Sequence, residues 1–316
     1  MRAFGPVPSR RLGQSLGINN LPPKVCTYSC VYCQLGRTTK LQVDRQVFYN
    51  PDEILADVQE QIKATTAQGV SVDYLTFVSN GEPTLDVNLG LEIELLKSLG
   101  FKIAVISNAA LMWRGDVRDD LMKADWISLK VDAAREEIWR EIDRPHGRLQ
   151  LTSILDGILE FRKEYRGELV TETMLIEGVN ESSGHIEEVA NYLARLRPAT
   201  SYLSIPTRPP GEEWVRSPDE EVVYSAYRIF CEKIASVEHL LGYEGNAFAW
   251  SGDVEKDLLS ITAVHPMREE SVNEFLARAK ADWSVISKLI DQNHLVELTH
   301  EGQRFYMRRL PGVQPR

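Results

Sequence analysis

Three cysteines stand within one short run, Cys26-Thr27-Tyr28-Ser29-Cys30-Val31-Tyr32-Cys33. Their spacing is C-x3-C-x2-C. Three thiolates from a single loop can each take one iron of a cubane cluster and leave the fourth iron without a protein ligand. An open coordination position is what a metal centre needs to act on a substrate; closed sites serve structure or electron transfer. The same thiols, completed by a histidine or by the distant Cys231, would make a zinc site, and the spacing alone leaves both open. A disulfide framework does not fit, because paired cysteines staple small secreted chains and this one has 316 residues with four cysteines.

The rest of the composition limits what such a centre serves. At 43% hydrophobic and 26% charged residues the chain can bury a core, and its length suits two domains. A net charge of -10 argues against attachment of the whole surface to nucleic acid or anionic membrane. Residues 1–40 reverse that sign, with Arg2, Arg10, Arg11, Lys24, Arg37 and Lys40 and no acid. Positive surroundings suit thiolates and an anionic partner. No apolar run approaches the roughly 18 residues of a membrane span, and the opening residues lack the apolar stretch of a secretory signal. The expectation is a soluble cytoplasmic protein without membrane attachment.

The elements that must position the cysteines follow from periodicity. Asn50-Pro51-Asp52-Glu53 reads as a capped helix start, with Ile54, Val58 and Ile62 on one face and Gly69 as the stop. Short apolar runs at Ser15–Ile18, Tyr74–Ser79, Lys102–Ser107, Trp126–Val131, Leu169–Leu175 and Tyr202–Pro206 alternate with helical stretches. That pattern predicts an α/β fold: six parallel strands joined by right-handed crossovers in a partial (β/α)6 barrel, with ligands at the C-terminal strand ends. Residues 1–250 are expected to form this catalytic domain. Over 254–316 the sequence reads as three short helices, Glu255–Val264, Glu269–Ala279 and Asp282–Asn293, then a hairpin, which resembles a winged-helix domain. Cys231, on a probable amphipathic helix over Val222–Val237, reads as a small buried residue.

With the aromatic Tyr32 before its last cysteine, the motif resembles that of the radical S-adenosylmethionine (SAM) superfamily. The resemblance spans about residues 15–210 and implies that Cys26, Cys30 and Cys33 hold a [4Fe-4S] cluster whose open iron is chelated by SAM. Reductive cleavage of SAM then yields a 5′-deoxyadenosyl radical that abstracts hydrogen from a substrate. Ser79-Asn80-Gly81-Glu82-Pro83 looks like the family's Gly-Gly-Glu-Pro segment, which holds the SAM amino group, with Asn80 standing where Gly is common. Ser107 and Asn108 resemble the polar pair near the ribose and methionine moiety. Lys130 resembles a lysine reaching the SAM carboxylate, with Asp132 as its partner or a turn residue, and Tyr32 and Ile176 are expected to flank adenine. An electron donor of the flavodoxin or ferredoxin type is implied.

Within the superfamily, Phe4-Gly5-Pro6-Val7-Pro8-Ser9-Arg10-Arg11-Leu12-Gly13 resembles the opening of uncharacterised proteins related to tRNA wyosine synthases. No cysteine precedes Cys26, so the second cluster of those synthases, and their pyruvate condensation, do not carry over. This branch points to RNA, with Arg10, Arg11, His146 and Arg208 as substrate candidates. Two other functions remain: a radical enzyme acting on a peptide, such as a glycyl-radical activase, and an iron–sulfur DNA-binding regulator without turnover.

Overall fold

The computed structural model describes residues 2–240, 248 and 250–309; residues 1, 241–247 and 249 of the first expected domain and 310–316 of the second lie outside the described residues. The chain opens on an antiparallel hairpin, β1 (Ala3–Ser9) and β2 (Gly13–Ile18), followed by a short parallel pair, β3 (Val25–Cys26) and β4 (Lys40–Leu41). From α1 (Pro51–Ala67) helix and strand alternate through β5 (Tyr74–Phe77), α2 (Leu89–Lys97), β6 (Lys102–Ser107), α3 (Gly115–Leu121) and β7 (Trp126–Lys130). Then come α4 (Glu136–Ile142), α5 (Leu151–Glu164), β8 (Glu168–Met174), α6 (Ser183–Leu196), β9 (Thr200–Ser204), α7 (Glu220–Lys233) and β10 (Val237–Leu240). The large sheet runs β1-β2-β5-β6-β7-β8-β9-β10, and every pairing after the first is parallel.

The six expected strands form the middle of this sheet, and one further strand extends it on each side. Strand β1 is missing from the sequence reading because Gly5, Pro6 and Pro8 interrupt its pattern; proline is tolerated there because β1 is an edge. Its register shifts between Phe4 and Val7, and Gly17 opposite leaves room for the Phe4 ring. Strand β10 has only four residues of mixed polarity, and helix α7 stops before it at Lys233 rather than reaching Val237.

Alternation along the strands sends side chains to two faces. Ile103, Val105, Ile127, Leu129, Leu169 and Leu203 pack against the helices, through residues such as Ile54 and Val58 of α1 and Phe230 of α7. The capping reading holds in detail: Asn50 accepts from the Asp52 amide at 3.0 Å, ahead of Pro51. On α7 the buried positions are Val223, Ala226 and Phe230, so Cys231, one step round from Phe230, is exposed rather than buried. That corrects the sequence reading.

The opposite face carries Ala104, Trp126, Val170, Tyr202 and Leu240, closed by Leu12 from the β1–β2 turn. Arg11 from the same turn lies between the Trp126 and Tyr202 rings, 5.6 Å from each centroid, and donates to Ser128 (3.2 Å) and Glu172 (2.9 Å). Arg10 donates to the Leu240 carbonyl at 3.2 Å, spanning the gap between the hairpin and the far edge strand. Residues 254–309 form the expected three helices and hairpin: α8 (Val254–Ile261), α9 (Glu269–Arg278), α10 (Ser284–Asp291), β12 (Leu295–His300) and β13 (Gln303–Arg308), with the two-residue β11 (Met267–Arg268) paired to β13. Phe248, Leu258, Met267, Phe275, Leu289 and Tyr306 belong to a second core there, and Val7 of β1 packs against it. No helix among the described residues is long and apolar enough to cross a membrane.

Removing one partner of a buried ion pair strands the other. Because Lys130 also reaches Glu172, Arg11→Ala is expected to cost about 2 kcal/mol, lowering the thermal midpoint by about 5 °C. An unchanged midpoint in thermal denaturation would show that this side chain does not hold the hairpin against the sheet.

Candidate functional site

Cys26 is the last residue of β3, and the segment around it, residues 24–31, is held from three sides by backbone hydrogen bonds. Ser29 and Val31 donate to Asp143 (3.0 Å) and Ile142 (2.9 Å), and His146 donates to Thr27 (3.0 Å), so the end of α4 lines one flank. On another, Glu212 donates to Val31 at 2.9 Å, and a side chain on Gly211 would come within 2.9 Å of the same carbonyl. The Glu212 carboxylate ties the flanks together, pairing with Arg37 at 2.8 Å and Arg144 at 2.5 Å. Opposite, Lys24 donates to the Asn80 carbonyl (2.7 Å) and Glu82 to that of Val25 (3.2 Å). A Cβ on Gly81 would lie 1.8 Å from the Val25 oxygen, so only glycine lets the segment after β5 approach the cysteine loop this closely.

Glu82 is 1% exposed and its carboxyl accepts four hydrogen bonds: from Thr84 N (3.0 Å), Thr84 Oγ1 (2.6 Å), Ser107 Oγ (2.8 Å) and Asn108 N (2.7 Å). Burial raises its pKa against the pull of these donors. Asn108 reaches the other way, its Nδ2 lying 2.8 Å from Thr27 Oγ1 and 3.5 Å from Cys26 Sγ. The structure thus brings Cys26, Gly81, Glu82, Ser107 and Asn108 together where β3, β5 and β6 end. Asn80 is 5% exposed, donates its amide to the Asn19 side chain at 2.9 Å, and has a buried Oδ1 without a donor.

The cysteines themselves are partly buried. Burial, with Glu82 nearby, pushes the Cys26 thiol up to about 12, and burial with Asp143 nearby raises Cys30 well above the ordinary thiol range. Lys24 offers an ammonium 3.5 Å from Cys33 Sγ. The thiolate forms of Cys26 and Cys30 are therefore favoured by the positive charge of a bound metal centre, whose binding displaces the protons. Among the described residues no three His, Cys, Asp or Glu are grouped to hold a single metal ion, and Cys231 sits exposed on α7.

Lys130 and Tyr32 lie in a second group. The Lys130 ammonium is 3.3 Å from Glu172, 3.4 Å from Asp132 and 4.8 Å from the Tyr32 ring centroid. Burial disfavours its charge, but Asp132 and Glu172 outweigh burial and raise its pKa; Glu172 is held down at about 2 against burial by Lys130 and Arg11. The Tyr32 hydroxyl is 2.5 Å from Asp132 and 3.3 Å from Asp143, and burial and Asp132 raise the Asp143 pKa well above the carboxylate range. Ile176 shares an apolar cluster with Val31, Ile142 and Val215, and Tyr32 packs against it.

The substrate candidates are dispersed. Arg10 and Arg11 belong to the hairpin contacts described above. His146 accepts from the Arg148 amide at 3.2 Å, beside the cysteine loop. Arg208 bonds to Gln34 (2.7 Å), next to Cys33, and lies 3.2 Å from His265 Nε2; Gln34 also donates to the Val264 carbonyl at 2.7 Å. The basic excess of residues 1–40 is largely paired: Arg2 with Glu53 and Asp57, Arg11 with Glu172, Arg37 with Glu212. Sequence reasoning missed Asn19, Asp143, Glu172 and Glu212, whose partners lie far away in the chain and which belong to no local motif.

Residues 21–193 match the radical SAM superfamily. A UPF0026 protein of Methanocaldococcus jannaschii is 46% identical over 310 residues, covering 98% of this chain and 96% of that relative. Among solved structures, a radical SAM methyltransferase from Sphaerobacter thermophilus superposes with a TM-score of 0.56 at 16% identity, covering 72% of this chain and 66% of that one. The structure of TYW1 with a lysine-pyruvate adduct bound gives 0.51 at 16% identity, over 71% and 76% of the two chains. At such identities these two show a shared fold.

The contact between Gly81 and the Val25 carbonyl predicts that Gly81→Ala displaces the segment it belongs to. Iron retained per chain after anaerobic reconstitution is expected to fall several-fold; wild-type iron content would show that the close approach is dispensable.

Proposed function

The chain belongs to the radical SAM superfamily, and we propose that it is an enzyme in which Cys26, Cys30 and Cys33 hold a [4Fe-4S] cluster beside a SAM site built on residues 80–82, 107–108, 130 and 176. The observation that carries this reading is Asn108, which donates its backbone amide to Glu82 and reaches Cys26 Sγ with its side chain. One residue thus touches both the thiol and the buried carboxyl, which supports a single small ligand lying against the two. The lone Asn80 Oδ1 adds an acceptor suited to an ammonium group, next to the acidic Glu82.

When bound, cluster and cofactor supply a one-electron cleavage of the sulfonium and a radical able to abstract hydrogen. The protein's own groups bind and shield. Glu82 offers negative charge in a water-poor setting, where an ammonium partner is worth more than at the surface. Lys130, charged and tethered by Asp132 and Glu172, presents a cation for a carboxylate. Tyr32 and Ile176 contribute apolar surface for a nucleobase, while the Tyr32 hydroxyl keeps its proton and donates it to Asp132.

For substrate class we favour RNA. Residues 254–309 read as a winged helix, and their tie to the cysteine loop through Gln34, Arg208 and His265 sets a macromolecule held there close to the reacting centre. With Arg2, Arg11 and Arg37 paired internally, contact with phosphate falls to charges such as Lys40, exposed on β4 beside Cys26. A flavodoxin- or ferredoxin-like protein would deliver the electron, in the cytoplasm.

Anaerobically reconstituted protein given SAM and dithionite is expected to release 5′-deoxyadenosine; zinc in place of iron, or no cleavage, overturns the reading. Cys30→Ala is expected to abolish the brown absorbance and Cys231→Ala to keep it. Salt-dependent binding of tRNA with a slope of several phosphates supports RNA, and salt-insensitive binding of a peptide replaces it.

A further inference from the structure

Behind residues 79–83 lies a chain of buried polar groups that no sequence motif marks. Asn20, two residues past β2 and fully buried, makes three hydrogen bonds through its side chain. Its Oδ1 accepts from Ser79 Oγ at 2.7 Å, and its Nδ2 donates to the Pro83 carbonyl at 3.2 Å and to Glu92 Oε2 at 3.1 Å. A single amide therefore grips the cofactor segment at both ends. Glu92, in the first turn of α2, is 1% exposed, and its other oxygen has no donor. Asp86, fully buried, accepts from the Asn88 amide at 2.9 Å through one oxygen and likewise lacks a donor at the other. The two carboxyl groups lie within hydrogen-bonding reach of each other.

We propose that Asn20 and Glu92 are positioning residues for the SAM-binding segment 79–83, with the Glu92 carboxyl fixing the Asn20 amide that holds Ser79 and Pro83. This rests on the functional reading above. Loss of the acceptor at Glu92 frees the amide to rotate, and Ser79 and Pro83 then lose their common anchor on either side of Asn80, Gly81 and Glu82.

Two buried carboxyl groups facing each other are satisfied when they share a proton. Burial, then Asp86, raises Glu92 to about 9, and burial raises Asp86 to about 6. Around the pair stand Asp120 of α3, which also raises Glu92, and Arg45, which pairs with Asp120 and, at 2.9 Å, with Asp116; the Lys123 ammonium lies beyond Gly90. A carboxyl group whose folded pKa is raised stabilises the folded arrangement fully below its unfolded pKa. That contribution is lost as pH rises toward about 9. In alkali Glu92 still accepts from Asn20, but as a second anion it is repelled by Asp86 and pushed from its place, which weakens the brace; a glutamine, which accepts from Asn20 and donates to Asp86 at every pH, does not share the weakness.

The test compares wild type, Glu92→Gln and Glu92→Met, each reconstituted anaerobically, by equilibrium dialysis of SAM and iron analysis at about pH 7 and about pH 9.5. Near neutrality Glu92→Met is expected to raise the SAM dissociation constant about tenfold with iron content unchanged, while Glu92→Gln stays within about twofold of wild type. Toward alkaline pH the wild-type constant rises relative to that of Glu92→Gln. Where Glu92→Met does not fold, the two pH profiles decide alone: diverging profiles support the proposal and parallel ones overturn it. Wild-type affinity in a folded Glu92→Met also overturns it, leaving the functional reading intact. A wild-type protein that binds no SAM removes the functional reading, and this one with it.

Discussion

A carboxyl group taken out of water must be surrounded by donors, and at Glu82 those donors come from two different strand ends. Thr84 lies in its own segment, whereas Ser107 and Asn108 close β6. Holding Glu82 therefore fixes the spacing between neighbouring strands at the rim of the sheet. Asn108 then carries that constraint to Cys26. The missing Cβ of Gly81 completes it from the other side by letting the Val25 carbonyl sit against the chain. Removing any of these groups leaves a buried polar partner without its mate, which costs more than the bond was worth.

The cysteine loop has little regular structure of its own and borrows its rigidity. Its amides and carbonyls are bonded to residues 142–146 and 212, and the residues leading into it, Lys24 and Val25, to Asn80 and Glu82, elements drawn from across the chain. Glu212 joins Arg37 within the loop to Arg144 outside it. Such a loop can hold three thiols in place before any metal arrives, although burial raises the pKa of Cys26 and Cys30 until it does. Preorganisation of this kind lowers the ordering cost of binding.

What the sequence reveals, and what it hides, follows from range. The six middle strands are legible because each is a short apolar run facing helices on one side, and the cysteine and Gly81-Glu82 segments because their chemistry is local. Strand β1 was hidden by prolines that only an edge permits, and β10 by its brevity. Cys231 was misjudged because one residue of helical rotation separates the buried Phe230 from solvent. Asn20, Glu92 and Glu212 carry no signature at all: Asn20 meets Glu92 across 72 residues and Glu212 meets Arg37 across 175, which only a fold can reveal. Lys130 falls between these cases: of the two readings for Asp132, partner or turn residue, the structure shows the ion pair, and it adds Glu172, which no local motif marks.

Strand β1 is claimed by both ends of the molecule. It pairs with β2 on one side, and its Val7 is packed by the core built from residues beyond 247. During synthesis β1 leaves the ribosome long before the residues that cover it, which follow only after the whole β5–β10 stretch. Val7 must therefore wait for that cover until the residues beyond 247 have been made. A truncation that removes β1 and one that stops before α8 each leave this apolar contact with only one of its two sides, so the two segments must be kept together whenever the chain is shortened.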